Sequence, residues 1–228
     1  MPDRPEVIAQ TNFRTHRDAL ASMDLKERFE FIFRRNLWSS RESRSGLGST
    51  LPETAALRDA IPRLLKELGA RSLLDIPCGD FGWLSAADLE VVYIGADIVP
   101  ALVEENDRQY GSAERRFICI DLTADLLPAA DVVLCRDCLV HLSYQNIRRA
   151  LANILASGAQ WLLMTNFLRI ESNRDIEDGD WRPLNFELPP FALPPPERAI
   201  VENCAEAAGA YDDKALCLWR VETLGSRG

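Results

Sequence analysis

A chain of 228 residues, 47% apolar and 27% charged, is long enough for one domain with a substantial core, and its composition excludes a disordered or fibrous protein. Against 35 Asp and Glu it sets only 26 Lys and Arg, a net charge of −9, which excludes non-specific binding to nucleic-acid phosphates because that needs clustered cations. No apolar run approaches the roughly 20 residues that span a bilayer, and the start, Met-Pro-Asp-Arg-Pro-Glu, has no basic-then-apolar leader pattern, so a cytoplasmic protein with no membrane and no nucleic-acid partner is expected.

Residues 1–22 are polar, with Pro2 and Pro5, and predict a loose start followed by a short helix. From Asp24 to Trp38 the apolar residues Leu25, Phe29, Ile32, Phe33 and Leu37 recur at helical spacing behind Asp24 as N-cap, so this helix must pack on something. Arg34, Arg35, Arg41 and Arg44 form one short basic cluster, either a solvated face or a site for an anionic group. Residues 39–50, rich in hydroxyls and glycine, have a linker's composition; the rival reading is an ordered loop whose hydroxyls and N–H groups hold a polar ligand. An amphipathic helix follows from about Pro52 to Leu68, closed by Gly69 and expected to kink near Pro62.

An α/β alternation starts there. Strands are expected at 72–76, 91–96, 116–120, 131–135 and 160–165, most of them near-continuously apolar, as in a sheet covered on both faces. Helical patterns lie at 99–110 and at 143–156, the latter behind Ser143 as N-cap, and this order implies a parallel, doubly wound sheet. Residues 168–197 are polar and then proline-rich, with Trp181, Phe186 and Phe191 interspersed, and are read as a lid over the carboxyl edge of the sheet. Two last strands, from Ala199 and from Ala215, would pair antiparallel across Tyr211-Asp-Asp-Lys. The six cysteines lie mostly in apolar runs; Cys135 and Cys138 form a C-x-x-C with no second pair nearby, so reduced thiols are expected rather than a zinc or redox site.

The chemistry concentrates at strand ends. The run Ser72 to Trp83 reaches Asp75 and then breaks into a turn of small residues, the way an open α/β sheet delivers backbone N–H groups to a ligand. Asp97 follows Asp75 by 22 residues (97 − 75), near the spacing that places a carboxylate on ribose hydroxyls, and Asp121 on the next strand is placed to approach a base. The turn Pro77-Cys-Gly-Asp-Phe-Gly82 is not a pyrophosphate fingerprint, and Asp80 would repel a pyrophosphate but suit a sulfonium, which points to S-adenosylmethionine. Beyond the fourth strand, Asp137 and His141 could activate a hydroxyl, with His141 as base. Asp137 has three options: orienting His141, touching a sugar hydroxyl, or ligating a divalent cation such as Mg²⁺, with further carboxylates available in Glu171, Asp175, Glu177, Asp178 and Asp180.

The order Asp75-Ile-Pro-Cys-Gly-Asp-Phe, Asp97, Asp121-Leu122 and Asp131-Val-Val-Leu-Cys-Arg-Asp137 resembles motifs I to IV of class I S-adenosylmethionine-dependent methyltransferases. Asn36-Leu-Trp38, Ser43-Arg-Ser-Gly-Leu-Gly-Ser49 and Trp181-Arg-Pro-Leu-Asn185 are similar to a bacterial group associated with glycan modification, including the mycobacterial methylmannoside O-methyltransferases. The resemblance implies a Rossmann-like sheet with an antiparallel C-terminal strand, helices on both faces and an N-terminal helical extension over residues 1–50. It also turns the 39–50 segment from a linker into a loop closing over the cofactor, touching its carboxylate through Arg44 or Ser49. Asp97 would hold the ribose, Asp121 and Leu122 the adenine side and the Gly79 turn the methionine part. Trp38, Asp75, Pro77, Cys78, Phe81, Trp83, Ile98 and Arg136 would complete the cofactor site, and Asn166, Trp181, Arg182 and Asn185 would hold a small-molecule or oligosaccharide acceptor. A homodimer is open. Pro77 and Phe81 stand where motif I has glycine. The expected activity is O-methylation of a sugar hydroxyl; N-methylation of an amine and a non-catalytic cofactor-binding module are the alternatives.

Overall fold

Apolar runs bounded by small or charged residues become the strands of one sheet in the computed structural model, which describes residues 4–225. Residues 1–3 of the expected loose start lie outside it. The strands are β1 (Ser72–Asp75), β2 (Val92–Asp97), β3 (Arg115–Cys119), β4 (Val132–Cys135), β5 (Trp161–Phe167), β6 (Arg198–Val201) and β7 (Lys214–Arg220), ordered β3-β2-β1-β4-β5-β7-β6. β1 to β5 run parallel, with Leu74 between Ile94 and Val133; β7 is antiparallel to both β5 and β6.

The longer helices are α1 (Ile8–Leu20), α2 (Leu25–Arg35), α3 (Ala55–Leu68), α4 (Pro100–Tyr110) and α5 (Tyr144–Ala156). Both faces of the sheet are covered. Leu57, Ile61, Leu64 and Leu65 of α3 and Val103 of α4 pack on Leu73, Tyr93 and Val132, while Ile147, Ala150 and Ile154 of α5 pack on Leu74, Val133 and Leu162. This double cover explains why the central strands carry apolar side chains at consecutive positions.

Caps set the helix ends. Asp24 accepts from Glu27 N at 2.9 Å while its own N–H donates to Glu27, a reciprocal box that starts α2. Gly69, at φ +64°, closes α3, which runs on through Pro62. Ser143 caps α5, and Asp178 and Asp175 accept from Ser143 N and Tyr144 N at 2.7 Å. These carboxylates thus offset the unpaired N–H groups and the positive pole of a helix start, a local duty that leaves neither of them a free metal ligand.

Past the β1 turn stands a single 3₁₀ turn, Leu84–Ala86, and one expectation is corrected. The 168–197 segment does not lie over the strand ends along its whole length: Asp180 O meets His141 Nδ1 beyond β4, and much of the rest packs elsewhere. Leu184 and Phe186 enter the core on the α5 side, Phe191 rests against Tyr144 and Phe186, and Trp219 Nε1 donates to Pro194 O at 2.8 Å. Its aromatics answer a packing demand, since α5 alone does not cover that face out to β7.

Candidate active site

A cavity opens at the carboxyl ends of β1 to β4, where the strand-end acids converge. Asp97 is buried on its wall: Oδ2 accepts from Gly79 N at 3.2 Å and Oδ1 from Val99 N at 3.0 Å. Burial pushes its carboxyl up to about 6. Each oxygen keeps a lone pair, enough for a vicinal diol. Asp75 also borders the cavity but accepts Tyr93 OH at 2.6 Å, and burial raises it to about 7, so it acts as a floor. Asp121 lines the next sector with Leu122; its Oδ1 accepts from Thr123 N and Oγ1, both at 2.7 Å, which fixes the turn after β3. Pro77, Cys78, Trp83 and Ile98 are also on the wall.

The 39–50 segment is ordered, against its linker-like composition. Ser40, Ser43 and Ser49 are buried, Ser43 N donates to Ser40 Oγ at 3.1 Å, and Ser45 N donates to Ser43 Oγ at 3.1 Å. Asp80 N donates to Ser45 Oγ at 3.0 Å and Arg44 N donates to the Asp80 carboxylate at 2.7 Å, tying this loop to the β1 turn. Trp38, Arg44 and Ser49 thereby reach the cavity. Gly79 sits at φ +55°, and a Cβ there would meet Ser45 Oγ at 2.2 Å, so the two loops interlock only around glycine. The expected contact of Asp80 with a sulfonium is corrected: its carboxylate is spent on the loops and is not part of the wall.

A second cavity adjoins the first, and Trp38, Ser45, Asp137 and His141 belong to both. Its far walls come from distant parts of the chain: Val7 to Ala9, Gly46 to Gly48, Phe167, Trp181, Cys204, Glu206, Tyr211 and Lys214. His141 Nδ1 lies 2.9 Å from Asp180 O, and a carbonyl can only accept, so Nδ1 carries the proton and Nε2 is the free base. Burial drops the imidazole to about 4, and the ring rests against Trp38 with centroids 4.9 Å apart. Asp137 does not orient His141; its Oδ2 accepts from Lys214 Nζ at 2.5 Å and lies 3.3 Å from Arg136 Nη1, and these cations hold its carboxyl down at about 2. Arg136 in turn donates to Glu202 at 2.6 Å and to Gly48 O at 2.7 Å. Asp137 has φ +53°, a backbone state that Asp tolerates better than most residues.

Several expected contacts are not made. Phe81 is in the core, against Tyr93, Tyr110 and Phe117, and takes φ +55° where motif I has glycine. Arg182 is fully buried and donates to the carbonyls of Leu139 at 2.8 Å and Leu142 at 2.5 Å, so it braces the chain around His141 rather than gripping an acceptor. Asn166 Oδ1 accepts from Phe186 N at 2.8 Å, Asn185 Oδ1 from Glu187 N at 3.0 Å, and neither reaches a cavity. Only Trp181 of the four borders the second one. A divalent ion at Asp137 does not fit, because two cations already face that carboxylate, and no group of three or more potential ligands clusters among the described residues. Glu171 is engaged elsewhere and Glu177 pairs with Arg17.

Sequence reasoning missed Leu25, Phe29 and Phe33 as cavity wall, although their helical spacing signalled a buried face, and missed Lys214 and Glu202 altogether. A lysine opening an apolar strand was the available signal for the latter.

The strand order, the reversed β7 and a cavity at the strand ends define the class I S-adenosylmethionine-dependent methyltransferase fold. Magnesium protoporphyrin IX methyltransferase from Synechocystis PCC 6803, solved with bound SAM, superposes with a TM-score of 0.51 at 16% identity, over 69% of this chain and 81% of that one. The methyltransferase domain of bacterial CtHen1 gives 0.45 at 15% identity, over 50% of this chain and 66% of its own, just under two thirds of its length. No family model and no curated protein sequence matches the chain. Among the described residues no helix is long and apolar enough to cross a membrane.

The donor set of the first cavity suits S-adenosylmethionine. Asp97 offers a diol acceptor; Leu102, Ile120, Leu122 and Leu142 offer an apolar slot; and Arg136 Nε, buried without a partner, offers an N–H to an anion.

Proposed function

We propose that this chain is an S-adenosylmethionine-dependent O-methyltransferase acting on a sugar hydroxyl. Asp97, Asp121 and Leu122 would hold the nucleoside half of the cofactor, the Gly79 turn, Arg44, Ser49 and Arg136 the amino-acid half. When bound, the cofactor supplies a methyl group on a sulfonium and departs as the neutral thioether.

The observation that carries the reading is His141. It stands where the two cavities meet, its Nε2 is unprotonated at neutral pH, and its Nδ1–H is fixed on the Asp180 carbonyl. An acceptor entering from the second cavity would place its hydroxyl against that nitrogen, which takes the proton as the oxygen attacks. Buried Arg182 holds the carbonyls of Leu139 and Leu142, so the backbone carrying the base cannot drift. Support for a sugar comes from the resemblance at 36–49 and 181–185.

The test is methyl transfer to a panel of mono- and oligosaccharides, with and without Mg²⁺ and chelator. The reading expects methyl ethers formed regardless of chelator and a turnover lost in His141→Ala. Methylated amines formed at nearly full rate by His141→Ala would instead establish N-methylation.

A further inference from the structure

The charges around the second cavity cancel, with one exception. Lys214 Nζ lies 2.5 Å from Asp137 and 3.3 Å from Glu202, and Arg136 lies 2.6 Å from Glu202 and 3.3 Å from Asp137, so two cations and two anions close a neutral buried network. Arg4, beyond Tyr211, is committed to Asp213 at 2.6 Å. Glu206 lines the same cavity outside this network. Its carboxylate has no hydrogen-bond or ion-pair partner among the described residues. Burial pushes its carboxyl up, Asp137 and Glu53 add to the rise, and the charges of Lys214 and Arg136, already paired in the network, oppose it. A half-buried carboxylate whose possible counter-charges are already taken favours a cation brought by a ligand, and it disfavours a phosphate or carboxylate there.

From this we infer that the acceptor is a hydroxylated molecule bearing a protonated amine, such as an amino sugar, with its ammonium set against Glu206 and its hydroxyl against His141. The inference rests on the second cavity being the acceptor site. Aromatic side chains, Trp38, Trp181 and Tyr211, form the walls between the two ends and suit the apolar face of such a ring. A protonated amine has no lone pair, so it anchors the acceptor and leaves oxygen as the nucleophile.

The experiment uses the full chain saturated with S-adenosylhomocysteine, whose own binding is first confirmed by calorimetry. Failure at that step would strike the cofactor reading and not this one. The complex is then titrated with methyl α-glucoside and with its 2-amino, 3-amino and 6-amino deoxy analogues. At least one aminated glycoside should bind about tenfold tighter than the parent, as expected for a hydrogen-bonded ion pair in a partly buried site. In Glu206→Gln, with S-adenosylhomocysteine affinity and Tm unchanged as proof of folding, that preference should fall to within about twofold. Equal affinity for parent and all aminated analogues, binding of none, or a preference that survives Glu206→Gln would each overturn the proposal.

Discussion

The two cavities that meet at His141 are built in opposite ways. The first is made from consecutive strand ends, Asp75, Asp97, Asp121 and Arg136, which the parallel sheet lines up by its own topology. The second is assembled from the start of α1, the 45–48 loop, β5 and the 204–214 stretch, segments brought together only by the finished fold. The first is consequently a property of the architecture, while the second is particular to this chain and is where the proposed acceptor would be selected. Their chemistry differs as well: backbone N–H groups and carboxylates in the first, a buried charge network and aromatic walls in the second.

The comparison can be broken at the shared wall. His141→Ala should lower kcat by about 10²- to 10⁴-fold, the usual worth of a positioned base, and leave S-adenosylmethionine affinity within about twofold. Equal losses in both would make His141 part of the cofactor site. Next in size, Arg182→Ala removes the donor that satisfies the carbonyls of Leu139 and Leu142 and should cost about 3 kcal/mol in denaturant unfolding. A variant that is fully stable but unable to use its acceptor would return Arg182 to the acceptor site.

A smaller effect sharpens the account of the base. Lys214 disfavours the imidazolium of His141 and also neutralises Asp137, which favours it. Lys214→Met removes both restraints, so the His141 pKa should rise from about 4, while burial, the largest cause of the depression, keeps it below the ordinary value of 6.5. His141 works unprotonated, so the acid limb of the rate profile should move up in pH with it. The chain has only His16 and His141, so a histidine NMR titration reads this directly without an acceptor. Return of the wild-type value in Lys214→Met with Asp137→Asn would show that the rise came from the charge of Asp137 and not from altered packing.

Legibility in the sequence followed the same division. Strand runs, caps at Asp24 and Ser143 and the acids after β1, β2 and β3 are short-range signals, each decided within a few residues, and the sheet order follows from their alternation. The second cavity is lined by residues some 200 positions apart, such as Val7 and Lys214, a juxtaposition for which no local period exists. Composition misled where small polar residues are buried. Ser40 and Ser43 accept from the backbone N–H groups of Ser43 and Ser45, and Ser49 is buried beside them, so a linker-like stretch became a wall. The Trp181-Arg-Pro-Leu-Asn185 run misled differently, because a buried Arg and Asn serving backbone carbonyls and N–H groups look in sequence like ligand contacts.

The central claim is that the first cavity holds S-adenosylmethionine through Asp97. Calorimetric titration of wild type and Asp97→Ala tests it most directly. The account predicts one-site binding by wild type and a loss of about a hundredfold in the variant, the worth of a buried carboxylate holding a diol and the Gly79 turn together. No binding by wild type, or unchanged affinity in Asp97→Ala, would contradict it.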